Sequence, residues 1–169
     1  MFPRTDLKPN GPAPIQSFVS NRSPERLRDV IAQFSLVTAP RYQKRDVTGD
    51  GVDETFCNFA ARDISEAMNA PLPQGYRAND LEPWLGSKLG AAAGWERVDE
   101  HTAQLVANEG KLALAIWRNP TGRSGHIAVL VPDGGEPGTW IAQAGASNFE
   151  RGKLSRGFGN LQPLFFAHP

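Results

Sequence analysis

Cys57 is the only cysteine in the chain, and it stands where a loop rich in Asp and Gly gives way to a helical pattern. A sulfur at a helix start meets unpaired backbone amides and the positive end of the helix dipole, which favour thiolate over thiol. The same amides are placed to hold a developing oxyanion. A lone cysteine is more often a small buried hydrophobe. Here, however, the apolar face of the segment is already taken by Phe56, Phe59 and Ala60, so placement alone weighs the reactive and structural readings about equally.

A reactive thiol needs a base. Of the three histidines, His168 lies next to the C-terminus and His101 sits in the polar run Asp99-Glu100-His101-Thr102. His126 follows Ser124-Gly125 and opens the apolar run Ile127-Ala128-Val129-Leu130-Val131. It therefore projects from the rigid start of a strand. Standing alone, such a residue would read as a strand cap. A Cys at a helix start together with a His at a strand start is the arrangement that Cys–His hydrolases use. The next apolar run, Trp140-Ile141-Ala142-Gln143-Ala144-Gly145, carries one polar side chain, Gln143. In a hairpin with the His126 strand, Gln143 is in register to accept from the distal ring nitrogen and fix the tautomer. A water-facing glutamine on an edge strand is the bland alternative, and Asn148, in Ser147-Asn148-Phe149, is the competing orienter.

Thr55-Phe56-Cys57-Asn58-Phe59, Ser124-Gly125-His126-Ile127-Ala128-Val129-Leu130 and Ile141-Ala142-Gln143-Ala144-Gly145 together resemble the NlpC-type and CHAP-type cysteine peptidases and amidases. The resemblance covers roughly Tyr42 to Phe149. Asn58 stands where NlpC-type members often have Ser, and Gln143 where His, Asn or Glu is more usual. The resemblance implies a papain-like α+β fold and cleavage of peptide or amide bonds in bacterial peptidoglycan. The catalytic set it implies is Cys57, His126 and Gln143. Tyr42 is similar to the family's tyrosine near the oxyanion hole, and Asn58 flanks the same place. The stem peptide of the cell wall becomes the expected partner, joined by an immunity protein if the chain is an antibacterial effector rather than a phage lysin.

Other features surround this set. Asp46, Thr48, Asp50, Val52 and Glu54 offer oxygens at alternate positions, with Gly51 at the sixth, like the first half of a calcium loop. Cys57 occupies the twelfth position, where a bidentate Glu would stand. An Asp/Gly turn with a solvated rim is the plainer reading, so calcium is a candidate structural ion and no cofactor is required. Trp84, Trp95, Trp117 and Trp140 either line a groove or fill the core, with the core favoured. Arg123, in the loop entering His126, matches a stem-peptide carboxylate in geometry, and Trp117 and Asn148 complete the candidate substrate contacts.

The elements that must position these residues are legible in outline. Residues 1–20, with Pro3, Pro9, Pro12 and Pro14, read as an extended lead-in, and 21–169 as one domain. Ser23-Pro24-Glu25 starts a helix through Leu27, Val30, Ile31 and Phe34. A second helix runs from Phe56 to Met68, and a third opens at Asn79 with Glu82 three residues on and carries Leu81, Trp84, Leu85 and Leu89. A short helix covers Thr102–Asn108. Strands follow at Leu112–Trp117, His126–Val131, Trp140–Gln143 and Leu164–Phe166, and Arg151–Gly159 reads as a mobile flank. Helices first and a meandering antiparallel sheet afterwards make an α+β domain.

Eighteen Lys and Arg balance eighteen Asp and Glu in 169 residues, which argues against nucleic acid or anionic membrane as the main partner. The apolar stretches are strand-sized, too short for a bilayer. Met1–Asp6 lacks the apolar run of a signal peptide. The expectation is therefore synthesis in the cytoplasm and action on the wall or periplasm after holin release or delivery by a secretion apparatus. Two other functions fit the same residues: a papain-like deamidase or acyltransferase on another substrate, and a calcium-dependent binding module with a structural Cys57.

Overall fold

The computed structural model describes residues 14–122 and 124–169. Helix α1 (Pro24–Ala32) begins as its sequence dictates: the Ser23 side chain accepts from the Arg26 amide, and proline fills the first turn, where no amide is needed. It ends two residues before Phe34, which packs on the core from the following turn. Helix α2 (Cys57–Ala67) buries Cys57, Ala60, Ala61 and Ile64 along one stripe. Part of the expected lead-in is held by these helices. The Ser17 amide donates to Ala67 O at 2.9 Å, and the Ile15 backbone exchanges two hydrogen bonds with the Gln33 side chain. Residues 1–13 lie outside the described set.

The third helical run breaks in two. Helix α3 (Ala78–Leu85) is capped at Arg77, two residues earlier than the Asn79 cap read from the sequence, with Asp80 accepting from the Arg77 amide at 3.0 Å. Asp80, not Glu82, is thus the acid of the first turn, because the chain enters the helix two positions sooner. Gly86 closes α3, and Ser87 caps a new short helix α4 (Lys88–Ala92), leaving Leu89 exposed. After strand β1 (Glu96–Val98), which the sequence reading missed, helix α5 (Glu100–Asn108) opens on Asp99, whose carboxylate accepts from the Thr102 amide.

Strands β2 (Leu112–Trp117), β3 (His126–Leu130), β4 (Trp140–Gln143), β5 (Phe149–Lys153) and β6 (Leu164–His168) complete a six-stranded sheet in the order β1-β6-β2-β3-β4-β5. All pairings are antiparallel. The fold is α+β. The meander holds from β2 to β5, but β6 returns to lie between β1 and β2. A short helix, α6 (Leu154–Phe158), follows β5 directly, so the stretch expected to be a mobile flank is an ordered strand and helix.

Strands β2 and β3 are buried at nearly every residue. Successive side chains in a strand point to opposite faces, so both faces of the sheet's centre are covered. Helices α2, α3 and α5 provide that cover. Leu114, Ile116 and Ile127 are fully buried there, each contributing about 1.5–3 kcal/mol. This well-packed centre presents the half-buried His126 at the beginning of β3 and sets α2 against that strand.

Candidate active site

Cys57 is the first residue of α2, and the capping residue Phe56 supplies no side-chain acceptor to the first turn. The amides of Phe59 and Ala60 both bond to Phe56 O, at 3.0 and 3.1 Å. Those of Cys57 and Asn58 are left to face the sulfur, joined by the Ile127 amide from β3. That third amide is available because β3 and β4 come into register only at Val129↔Ala142. The thiol thus sits in a concave set of backbone donors contributed by a helix start and a strand start, beside the residue that follows His126.

The other end of the site is a histidine–glutamine pair. His126 Nε2 lies 2.7 Å from Gln143 Oε1, and Gln143 is only 4% exposed. The Gln143 amide has one sensible orientation, because its Nε2 donates to Ser147 O at 3.0 Å. Its oxygen is therefore the atom facing the ring, so His126 carries its proton on Nε2 and leaves Nδ1 as a free lone pair. Strand β5 lies outside β4, so Gln143 is not on a water-facing edge. The backbone around the pair is cut to fit. A Cβ on Gly145 would stand 3.1 Å from His126 Cε1, and one on Gly125 would stand 2.3 Å from Trp117 O and 2.6 Å from Asn79 Oδ1.

Burial sets the charge state. It pushes the Cys57 thiol above its ordinary range, with the Ile127, Asn58 and Cys57 amides pulling only partly back. Burial likewise holds His126 below the usual imidazole value, offset in part by the bond to Gln143. Both shifts favour neutral partners. The helix start was expected to favour thiolate; in the folded chain desolvation outweighs it, so Cys57 rests as a thiol and His126 as a neutral imidazole.

Several sequence candidates do other work. The Tyr42 hydroxyl donates to Asp63 Oδ2 at 2.7 Å, and burial with that carboxylate pushes its ionisation far above the usual tyrosine range. Arg41 grips the same Asp63 in a two-point ion pair. Tyr42 therefore ties the turn before the Asp/Gly loop to the middle of α2, and its donor is not directed at an oxyanion. Asn148 is no orienter. Its oxygen accepts from the Gly145 amide at 2.9 Å, and its Nδ2 donates to Leu36 O and Tyr42 O, both at 2.9 Å. Asn58 donates to Tyr76 O at 3.2 Å, beside Arg62, which bonds the same carbonyl. Trp117 pairs with His126 across β2 and β3 and packs half-buried on the core. Arg123 lies outside the described residues.

The tryptophans are mostly packed. Trp95 is 3% exposed with its indole donating to Pro71 O, Trp84 packs on the core, and Trp140 lies under Arg151 and Lys153. In the Asp/Gly loop, both Asp46 oxygens accept backbone amides, from Gly49 at 2.6 Å and Gly51 at 2.8 Å, which lowers its ionisation. Asp50 accepts from Val52, Glu54 accepts from Val47, and Arg45 pairs with Glu54 across the loop base. Thr48 and Val52 are exposed on this loop. Among the described residues no group of three or more His, Cys, Asp or Glu side chains is gathered to hold a metal ion. The loop's geometry is that of an Asp-centred turn closed on its own amides.

The sequence reading passed over three supports of the site. Asn79 was read as a helix cap. Its Oδ1 instead accepts from the Asn119 amide at 2.8 Å and its Nδ2 donates to Gly122 O at 3.1 Å, anchoring the loop that enters His126. Ser147 contributes only its carbonyl, which no side-chain pattern reveals. Phe158 packs its ring 4.7 Å from that of His126, centroid to centroid. Among the described residues no helix is long and apolar enough to cross a membrane. No protein-family model matches the sequence, and no curated protein matches it.

Proposed function

We propose that the chain is a papain-like cysteine hydrolase that cleaves peptide or amide bonds of bacterial peptidoglycan. The observation that carries this reading is the pairing of two things at one corner of the sheet. One is a lone thiol ringed by the amides of Cys57, Asn58 and Ile127; the other is a histidine whose distal nitrogen is held by Gln143. A structural cysteine needs neither. The resemblance of the Cys57, Gly125-His126 and Gln143 segments to NlpC-type and CHAP-type enzymes supplies the substrate class.

With both partners neutral at rest, activation is by general base rather than by a preformed ion pair. Nδ1 of His126 takes the Cys57 proton as the sulfur attacks the amide carbonyl, forming a C–S bond. The carbonyl oxygen becomes an oxyanion facing the first-turn amides. Collapse breaks the C–N bond, the amine leaves with the proton from His126, and water then hydrolyses the thioester to regenerate the thiol. Gln143 holds the imidazole through the cycle and stabilises the transient imidazolium by accepting from Nε2. Lysin and effector roles share this chemistry, with export through holins or a secretion apparatus and, for an effector, an immunity protein as partner.

The pH dependence tests the mechanism. His126 must be neutral to act, and its pKa is lowered, so hydrolysis of purified sacculi is expected to hold as pH falls to about 6.5 and to fail only below it. The native chain binds fewer protons at His126 than the unfolded chain does below that point. Stability therefore also declines as pH drops through the same region. Iodoacetamide labelling of Cys57 should instead keep accelerating above pH ~8.5, the ordinary thiol range. An acid limb above neutrality, or a labelling rate already saturated at pH 6, would contradict the neutral pair.

A further inference from the structure

We infer that Gly157 and Phe158, on α6, are positioning residues that clamp the His126–Gln143 pair in its working orientation; this rests on the hydrolase reading above. The segment lies outside the motifs that carry that reading. Gly157 packs directly on the orienter: a Cβ there would lie 2.2 Å from Gln143 Oε1, 3.1 Å from its Cδ and 2.7 Å from Ile141 Cδ1. The oxygen it would strike is the one His126 Nε2 bonds. Real Cβ atoms do not approach an oxygen this closely, and the obstacle is the amide end of the Gln143 side chain, held in place by its bonds to His126 Nε2 and Ser147 O. Any side chain at this position must turn Gln143 away from the ring or move α6. The glycine is required by contact, since its φ is not among the positive ones.

Phe158 closes the pair from the same helix. It is 3% exposed, and its ring meets the imidazole at 4.7 Å and 58°. That contact excludes water from the Nε2···Oε1 bond, which strengthens it and keeps the imidazole from swinging out. The clamp has a fixed base. Leu154 N donates to Thr139 O at 2.8 Å, so α6 is tied to the residue before β4, the strand that carries Gln143. Gly159, at φ 57°, ends the helix immediately after Phe158, which aims the ring without a further turn of helix.

The test is imidazole ¹⁵N NMR of His126 with pH, together with the iodoacetamide rate of Cys57, in wild type, Gly157→Ala and Phe158→Leu. Melting temperature serves as the fold control. Wild type should show the Nε2–H tautomer. Gly157→Ala should shift the ring nitrogens toward tautomer averaging and lower sacculus hydrolysis by about 10²-fold. Phe158→Leu, which keeps apolar bulk, should let the His126 titration move up toward about 6.5 as water reaches the ring. It provides the same readout if Gly157→Ala does not fold. Unchanged tautomer, titration and thiol reactivity in a folded variant would overturn the clamp. If the ¹⁵N signals respond as expected while wild type leaves sacculi intact, the clamp stands and the hydrolase reading falls.

Discussion

His126→Ala is expected to lower hydrolysis by at least about 10²–10⁴-fold, the usual contribution of a general base, while the chain remains folded. The reasoning follows from the resting charges. Burial keeps the thiol protonated at neutral pH, so without a base the nucleophile is present only as the minor thiolate fraction. The backbone amides around the sulfur survive the substitution and supply whatever catalysis is left. The structural cost is modest: one hydrogen bond, to Gln143, and one ring contact, to Phe158, are lost. Steady-state release of soluble fragments from sacculi, with a circular-dichroism melt in parallel, measures both. A variant keeping more than about a tenth of wild-type turnover would remove His126 from the mechanism.

Asn148→Ala should instead strike stability, by roughly 2–3 kcal/mol. One side chain here joins three segments: the Gly145 amide after β4, Leu36 O after α1 and Tyr42 O before the Asp/Gly loop, each at 2.9 Å. Alanine supplies none of these bonds and leaves partly buried backbone groups without partners. For a chain of this length that corresponds to a fall of roughly 5–10 °C in melting temperature. Activity should fall with it at the assay temperature, since Gly145 borders His126. A melting temperature within about 2 °C of wild type would show that water replaces these bonds at no cost.

The two substitutions separate what the sequence displays from what it conceals. His126 and Gln143 were legible because each is a polar exception in an otherwise apolar strand, and the period-2 register of a hairpin put Gln143 beside His126, whereas Cys57 was legible by its place at the start of a helix. Helix α1 was legible through Ser23 and Pro24, whose preferences are local. Asn148, the competing orienter, and Tyr42, likened to a tyrosine near the oxyanion hole, bond elsewhere because a side chain's partner is a matter of tertiary geometry. An Asn two residues from the end of an apolar run looks the same whether it bonds an imidazole or three backbone groups. Tyr42 found Asp63, a full 21 residues along the chain.

Charged and glycine-containing strands were the hardest to see. Phe149–Lys153 reads FERGK and Glu96–Val98 reads ERV, with no run of β-branched residues to mark either. They pair because their neighbours, β4 and β6, present free edges. In the same way the run through Gly157 and Gly159 suggested flexibility. Gly157 is instead small because Gln143 is pressed against it, a reason visible only once α6 is folded over β4. Composition reports a glycine's freedom; only packing reports its necessity.

The central claim is that Cys57 is the nucleophile of a cell-wall hydrolase, and digestion of purified sacculi by wild type and Cys57→Ala, with soluble fragments identified by mass spectrometry, tests it most directly. The account predicts new peptide-containing fragments with wild type alone, their masses naming the bond cut. A silent digest with both proteins, together with a Cys57 that iodoacetamide does not label in the folded chain, would contradict it and return Cys57 to the core as a structural residue.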